Sequence, residues 1–365
     1  MNFDLLLVGF GNVARRFVSL LEEQRERLAA EHTFSTRIIG ITTRRHGQVF
    51  SARGLDGAAL AAGVARGDTI GSTSQAAASA VSFIRDATRK GAAAARQRRV
   101  VVVETTTLDI ACGEPAIGHV RMALDGGAHV VTANKGPAAF AYRALARAAA
   151  RANRRFLFEG AVMDGVPIFN LVRETLPCVQ ITGFRGVVNS TTNYMITAME
   201  QGQSFEAALA EMQARGIAEA DASLDVEGWD AAAKASALAN VLLESSLTPR
   251  LIERQGITRD SAERARAAVR AGRRLKLVAR ANRTAARVAL EELPAHDLLA
   301  GVEGLQNALI LETDLLGEIA IVQRGGGLTQ TAYALLSDLV TIARDVTSGR
   351  ATPRAPTRAR RGRNR

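Results

Sequence analysis

Asp230 and Lys234 stand four residues apart at the end of a stretch, residues 216–234, that gathers acids in an otherwise apolar setting: GIAEADASLDVEGWDAAAK. On a helix, that spacing puts carboxylate and ammonium on one face. An arbitrary pair of this kind is ordinarily a solvated surface ion pair. Here a glycine turn and a loop of acids lead directly into the helix. Carboxylates in such a loop can hold an ammonium group, and a helix-borne lysine can move a proton at a carbonyl or alcohol oxygen. The combination suits an amino-acid substrate. Trp229, beside Asp230, reads as helix packing.

A second group of residues suits a cofactor. The run DLLLV at 4–8 ends in Gly9-Phe10-Gly11-Asn12-Val13-Ala14, after which apolar residues recur at helical spacing. Strand, GxGxxA turn and helix form the dinucleotide-binding fingerprint of a Rossmann unit. Gly9 permits the tight turn, Gly11 lets the backbone approach a pyrophosphate, and Ala14 keeps helix against strand, while the helix N-terminus around Asn12 and Val13 attracts the anion. An acid at the end of the second strand would bind a ribose 2′-hydroxyl. This chain has Thr42-Thr43-Arg44-Arg45-His46 there. Arginine at Arg44 or Arg45 favours NADP over NAD; the alternative is that both are solvated surface.

These groups need a scaffold. Strands are expected at 4–8, 37–42, 99–103, 128–131 and 155–158, with helices at 13–28, 115–125 and 138–152 between them. Alternating strands and helices imply an α/β fold, a doubly wound parallel sheet. From about residue 160 the texture changes to strands at 178–188, 274–280, 286–290 and 307–322, with helical stretches at 191–215 and 229–243. This is a second, α+β domain. Gly325-Gly326-Gly327 leads into a last helix at about 330–347.

Composition excludes several classes. The chain has 365 residues, 47% hydrophobic and 23% charged, enough to bury a core without disulfides or structural metal. Two cysteines far apart exclude a disulfide scaffold and a cysteine zinc site and suit a reducing compartment. No apolar run spans a membrane and no secretory signal is visible, so a cytoplasmic location is expected. The net charge of +11 drops to +4 without the seven arginines of residues 350–365. That tail is expected to be a disordered, solvated extension, and a nucleic-acid partner is not expected. The five histidines share no ligand spacing.

Six ordered motifs together resemble the homoserine dehydrogenases: GFGNVA at 9–14, VVTANKGP at 130–137, EGAVMDGVP at 159–167, NSTTNYM at 189–195, the 216–234 stretch, and GGGLTQTAYALLSDL at 325–339. The resemblance reaches to about residue 348. It implies NAD(P)-dependent interconversion of L-homoserine and L-aspartate 4-semialdehyde. It makes Lys234 resemble the catalytic lysine, Lys135 the lysine between cofactor and substrate, and Glu219 and Asp230 the acids that bind substrate, with Thr191 beside them. It gives Thr106, Gly325 and Gly327 cofactor contacts. It implies a monovalent cation, Na+ or K+, held by Glu159 and the backbone carbonyls of Val162, Asp164 and Val166. It implies a homodimer built through the second domain. The domains expected are 1–137, completed by 318–349, for the nucleotide, and 138–317 for substrate and dimerisation.

A lysine near its ordinary pKa of about 10.4 is a slow acid, so burial or a cationic neighbour, Lys135, is expected to lower that of Lys234. Two positions depart from the family pattern. Ala222 stands where proline is usual, and Ser190 where glycine is usual. Both leave the chemical groups intact but allow a related amino-acid alcohol or semialdehyde as substrate. The chain ends soon after its last helix, so threonine inhibition through an ACT domain is not expected. A nucleotide-binding regulator that uses the basic tail would have no need of Lys135, Glu219, Asp230 and Lys234.

Overall fold

The computed structural model describes residues 1–71, 79–94, 98–217 and 221–349. Glu219 and the basic tail lie outside them. The first half of the chain runs β1 (Asn2–Val8), α1 (Asn12–Glu23), α2 (Arg25–His32), β2 (Ser35–Thr42), β3 (Gln48–Phe50), α3 (Gly57–Ala65), α4 (Ala80–Ala94), β4 (Arg98–Glu104), α5 (Ala116–Asp125), β5 (His129–Thr132), α6 (Gly136–Ala152) and β6 (Phe156–Leu157). These strands make one sheet in the order β3-β2-β1-β4-β5-β6. All pairs are parallel except β2 with the short edge strand β3, which is antiparallel. That exception arises because β3 follows β2 through a five-residue turn, too short for a crossover.

Alternation along β1 explains why the sheet is covered on both faces. Leu5 and Leu7 point into a core shared with α1 and the last helix, while Leu6 and Val8 point into the core of α4, α5 and α6. The continuous valines of β4 are fully buried for the same reason.

The second half runs α7 (Phe169–Thr175), β7 (Ile181–Val187), α8 (Ser190–Glu200), α9 (Phe205–Ala214), α10 (Ser223–Val226), α11 (Trp229–Leu242), β8 (Glu253–Arg254), α12 (Ser261–Arg270), β9 (Arg273–Asn282), β10 (Ala286–Pro294), β11 (Asn307–Thr313), β12 (Glu318–Gln323) and α13 (Leu328–Thr347). Its sheet has the order β12-β11-β7-β9-β10-β8 and is antiparallel except where β8 meets β10.

The expected boundaries shift. The first sheet extends past residue 137 to β6, because Phe156 and Leu157 pair with Val130 and Val131. Residues 318–323 form the edge strand of the second sheet, so only α13 returns to the first, packing on α1 with Arg16 Nε donating to Thr329 Oγ1 at 3.0 Å. The single strand expected at 307–322 is a hairpin.

Helices α6 and α11 join the two halves. Ala231, Ala232, Ala235 and Ala239 on α11 are buried, as are Ala138 and Ala139 on α6; small side chains allow close approach. Ser236 Oγ donates to the Ala139 carbonyl at 2.9 Å, and Asn240 Nδ2 to the same oxygen at 2.9 Å. Lys135 immediately precedes α6, and Asp230 and Lys234 lie in the first turns of α11.

Candidate active site

The glycine turn sits at the carboxyl end of the first sheet. Gly9 has φ +89°, and its N–H donates to the Thr42 carbonyl at 2.9 Å. A Cβ there would lie 2.9 Å from the Thr105 carbonyl carbon and oxygen, so only glycine fits. Gly11 is exposed at the N-cap of α1, with open space where its Cβ would be and no side chain capping the helix. Asn12 and Val13 begin that helix. Arg44 and Arg45 are exposed in the turn after β2, which is closed by Thr43 N–H to Gly47 O at 3.0 Å. This edge therefore offers a helix N-terminus and two guanidinium groups, which suits an anionic dinucleotide.

Glu104, at the end of β4, organises the adjoining strand ends. It is fully buried. Thr132 Oγ1 donates to one of its oxygens at 2.9 Å, and the Thr106 amide and hydroxyl donate to the other. Asn134 then ties the two loops together: its Nδ2 donates to Thr106 O at 2.9 Å, and its Oδ1 accepts the Gly136 N–H at 2.8 Å. Thr106 and Lys135 are thereby brought to the same rim as Gly9.

From that rim Lys135 extends into a Lys–Asp–Lys bridge. Lys135 Nζ lies 2.9 Å from one oxygen of Asp230, and Lys234 Nζ lies 2.9 Å from the other. Lys234 also donates to the Val188 carbonyl at 2.7 Å. Asn189 Nδ2 donates to Asp230 at 2.9 Å and to Asp225 at 2.7 Å, while its Oδ1 caps α8 through the Thr192 N–H. Thr191 lies beside Asp225 and weakly favours its charged form.

The charges follow from these contacts. Burial raises the Asp230 carboxyl, but the two lysines and the bonds from Asn189 and Lys135 override it and hold it well below the usual carboxylate range. Burial lowers Lys135, yet Asp230 in contact, with Asp225 and Asp164 beyond it, leaves it raised. Asp225 is raised by burial and by repulsion from Asp230, against the bond from Asn189. The expected cation-against-cation arrangement is therefore replaced: a carboxylate stands between the two lysines.

Behind this centre, Ser190 Oγ accepts from Asn307 Nδ2 at 2.8 Å, and the same Nδ2 contacts Gln323 Oε1 at 3.2 Å. Gln323 Nε2 donates to Asp164 Oδ2 at 3.2 Å. Asp164 in turn accepts the Gly327 N–H at 3.2 Å and the Thr331 hydroxyl at 2.8 Å. A Cβ at Gly326 would stand 2.1 Å from Asp164 Oδ2, which explains glycine there. Ser190 is thus the first link of a relay from helix α8 to the Gly325–Gly327 turn.

The residues expected to hold a cation lie at 159–166. Glu159 is buried, and its carboxylate accepts backbone N–H from Ile168, Phe169 and Asn170 at 2.6–2.8 Å. Its own N–H donates to Asp338 at 2.9 Å. Burial raises Glu159 despite those three donors, and burial together with Glu159 pushes Asp338 up to about 8. Two buried acids whose charge Arg173 only partly offsets are hard oxygen donors, as are the carbonyls of the 162–166 turn, and they fit a cation. The Val166 carbonyl already accepts the Ile168 N–H at 3.0 Å, so it is the weakest member of the set.

Lys135, Asp230, Lys234 and Thr191 converge on one centre, and Gly9, Gly11 and Thr106 line the rim facing it. Glu159 and Asp164 belong to the turn behind. Asn189, Asp225, Glu104 and the Asn307–Gln323 pair were not singled out by the sequence reading. Asn189 carried a signal, as an N-cap residue before a helix. The others depend on contacts between residues far apart in the chain. Trp229 is stacked by Arg254, 3.6 Å from its ring centroid.

A family model for the homoserine dehydrogenase NAD-binding domain matches residues 9–159, and one for homoserine dehydrogenase matches residues 167–340. The NAD(+)-dependent homoserine dehydrogenase of Pseudomonas canavaninivorans is 37% identical over 351 residues, covering 94% of this chain and 97% of that one. The homoserine dehydrogenase of Methanocaldococcus jannaschii is 39% identical over 66% of this chain and 71% of its own. Among solved structures, a homoserine dehydrogenase from Thiobacillus denitrificans superposes with a TM-score of 0.78 at 28% identity, covering 95% of this chain and 74% of that one. A hyperthermophilic archaeal homoserine dehydrogenase mutant in complex with NADPH gives 0.77 at 27% identity, over 94% and 98%. With both halves matched in order and a relative alike along nearly its whole length, this chain belongs to the homoserine dehydrogenase family of nicotinamide-dependent oxidoreductases.

Proposed function

We propose that the chain interconverts L-homoserine and L-aspartate 4-semialdehyde at the cleft between the Gly9 rim and the Lys135–Asp230–Lys234 bridge. The bridge is the observation that carries this reading, because it holds two ammonium groups and a carboxylate opposite a dinucleotide edge. When bound, the nicotinamide supplies or accepts the hydride. The protein does the rest. Lys234 Nζ, fixed by Asp230 and the Val188 carbonyl, gives a proton to the substrate carbonyl oxygen in the reducing direction and recovers it in the oxidising direction. Lys135, held charged by Asp230, stabilises negative charge developing on that oxygen. Asp225 and Thr191 face the same centre and would orient the substrate's amino-acid end, together with Glu219.

For the cofactor we favour NADP, with Arg44 or Arg45 meeting the 2′-phosphate; NAD is the second reading, favoured by the NAD(+)-dependent relative. Gly9, Gly11, Asn12 and Val13 would hold the pyrophosphate, and Thr106, Lys135, Gly325 and Gly327 would border the nicotinamide. Glu159 with the carbonyls of Val162, Asp164 and Val166 would hold Na+ or K+. We place the domain boundaries near residues 158 and 324, following the sheets, and infer a homodimer through the second sheet. That inference is supported by Leu315, Leu316 and Val322, which are 67%, 55% and 47% exposed on its edge hairpin. No helix among the described residues is long and apolar enough to cross a membrane.

The deciding experiment follows nicotinamide reduction by L-homoserine with NADP+ and NAD+ separately. Turnover with homoserine, absent in Lys234→Ala, is expected. Turnover with another amino-acid alcohol but not homoserine would overturn the substrate. Equal efficiency with both cofactors in wild type and Arg44→Ala would overturn the role of Arg44.

A further inference from the structure

A cavity of about 800 Å³ opens between the two halves of the chain, lined by none of the residues placed at the cleft. It is walled by the second half of α6, by β6, by α7, by the entry to β7 and by the end of α11. Its size falls in the range of small-molecule pockets. The floor is aromatic. Phe158 packs against Phe156 and Phe169, with ring centroids 4.9 Å apart in each case.

The lining is cationic: Arg143, Arg155, Arg173 and Arg283, with Glu244 the one acid among the lining residues; Arg155 is ion-paired with Asp345 at 2.8 Å. Arg143 donates to the backbone carbonyl of Glu244, and its Nε is buried without a partner. Arg283 donates to the neutral Gln180 Oε1 at 2.9 Å. Arg173 is paired with Glu174. Two guanidinium groups held on neutral oxygens above an apolar floor complement an anion with an aromatic body, where the anion meets arginine and the ring meets the phenylalanines.

We propose that this cavity is a second ligand site, for a small aromatic carboxylate or sulfonate, separate from the nucleotide and substrate cleft. Its position gives occupancy a route to the active centre. The walls use the far ends of α6 and α11, roughly 10–20 Å along the helices from Lys135 and from Asp230 and Lys234. Ser236 and Asn240 bind those two helices together between the sites. A ligand wedged between the helix ends acts on the pair that carries both lysines.

The test titrates the full chain with 8-anilinonaphthalene-1-sulfonate, an aromatic sulfonate whose fluorescence rises in apolar surroundings, at saturating NADP+. One NADP+-insensitive site per chain is expected. Ala146→Trp, which fills the cavity from α6, and Arg283→Glu, at its exposed rim, should each weaken binding at least about tenfold, with homoserine turnover at the wild-type rate in Arg283→Glu. If the circular dichroism or Tm of Ala146→Trp departs from wild type, its fold is altered and Arg283→Glu decides. Fluorescence abolished by NADP+, or a titration unchanged in Arg283→Glu, would overturn the site.

Discussion

Asp230 in the active centre is largely buried and Asp338 on α13 fully so, and they end in opposite states. Asp230 faces two ammonium groups at 2.9 Å and stays ionised far below neutrality. Asp338 faces another acid, Glu159, and backbone or amide donors, and its carboxyl is pushed up to about 8. Burial alone opposes charge in both. What differs is the sign of the nearest formal charge. A buried carboxylate serves as a fixed anion only where the fold delivers cations to it. Around Glu159 and Asp338, hydrogen bonds and the more weakly coupled Arg173 together do not compensate for burial.

Lys234→Ala attacks the charged side of this contrast most severely. It removes the proton-moving group, and kcat is expected to fall about 10²–10⁴-fold, read by steady-state turnover with the cofactor Kd unchanged. A loss that resides only in substrate KM would make Lys234 a binding residue.

Asp230→Asn comes next. Without the carboxylate, Lys135 loses its main charge partner and the opposing effect of burial dominates, so its pKa falls. A kcat loss of roughly 10²-fold is expected, with the alkaline limb of the pH–rate profile moved to lower pH. An unmoved limb would mean that Asp230 does not set the charge of the lysines.

Asp338→Asn tests the other side through stability. A carboxyl raised in the native state keeps a proton that the unfolded chain has released. Its contribution to stability is therefore complete below the ordinary value of 3.8 and is lost as pH rises through about 8. Wild-type Tm should decline across that window, and the amide should flatten the decline; Tm measured from pH 5 to 8.5 checks it. The same slope in both proteins would show that Asp338 is ionised throughout.

Ser190→Gly has the smallest expected effect. It cuts the relay at Asn307 and leaves the bridge untouched. A change of roughly two- to tenfold in KM with kcat preserved is expected from kinetics on homoserine and cofactor. A kcat loss of Lys234→Ala size would place the Ser190 hydroxyl in the chemistry itself.

The first sheet was largely legible because its strands are short apolar runs between glycine or polar turns. The run DLLLV, the valines of β4 and the GxGxxA turn encode their structure locally, and period-2 burial makes their register nearly unavoidable. The antiparallel β3 escaped notice because three residues, a buried Gln48 and the half-buried Val49 and Phe50, carry no periodic signal. The stretch at 307–322 was read as one strand because the exposed Leu315-Leu316 turn looks as apolar as its flanks. The active centre was legible in part. Asp230 and Lys234 are joined by helix geometry, so their spacing already placed them together.

Residue order along the chain sets which groups are available: an ammonium and a carboxylate one helical turn apart, a glycine turn before a helix, and the polar segments that must close each strand. These follow from covalent order and local sterics. Only the tertiary structure decided their electrostatic state. Lys135 reaches Asp230 across 95 residues of chain because α6 and α11 pack face to face through alanines, and Glu159 meets Asp338 because α13 returns to the first sheet. Charge–charge energies depend on distance in space and on the water excluded between the groups, and spacing along the chain specifies neither.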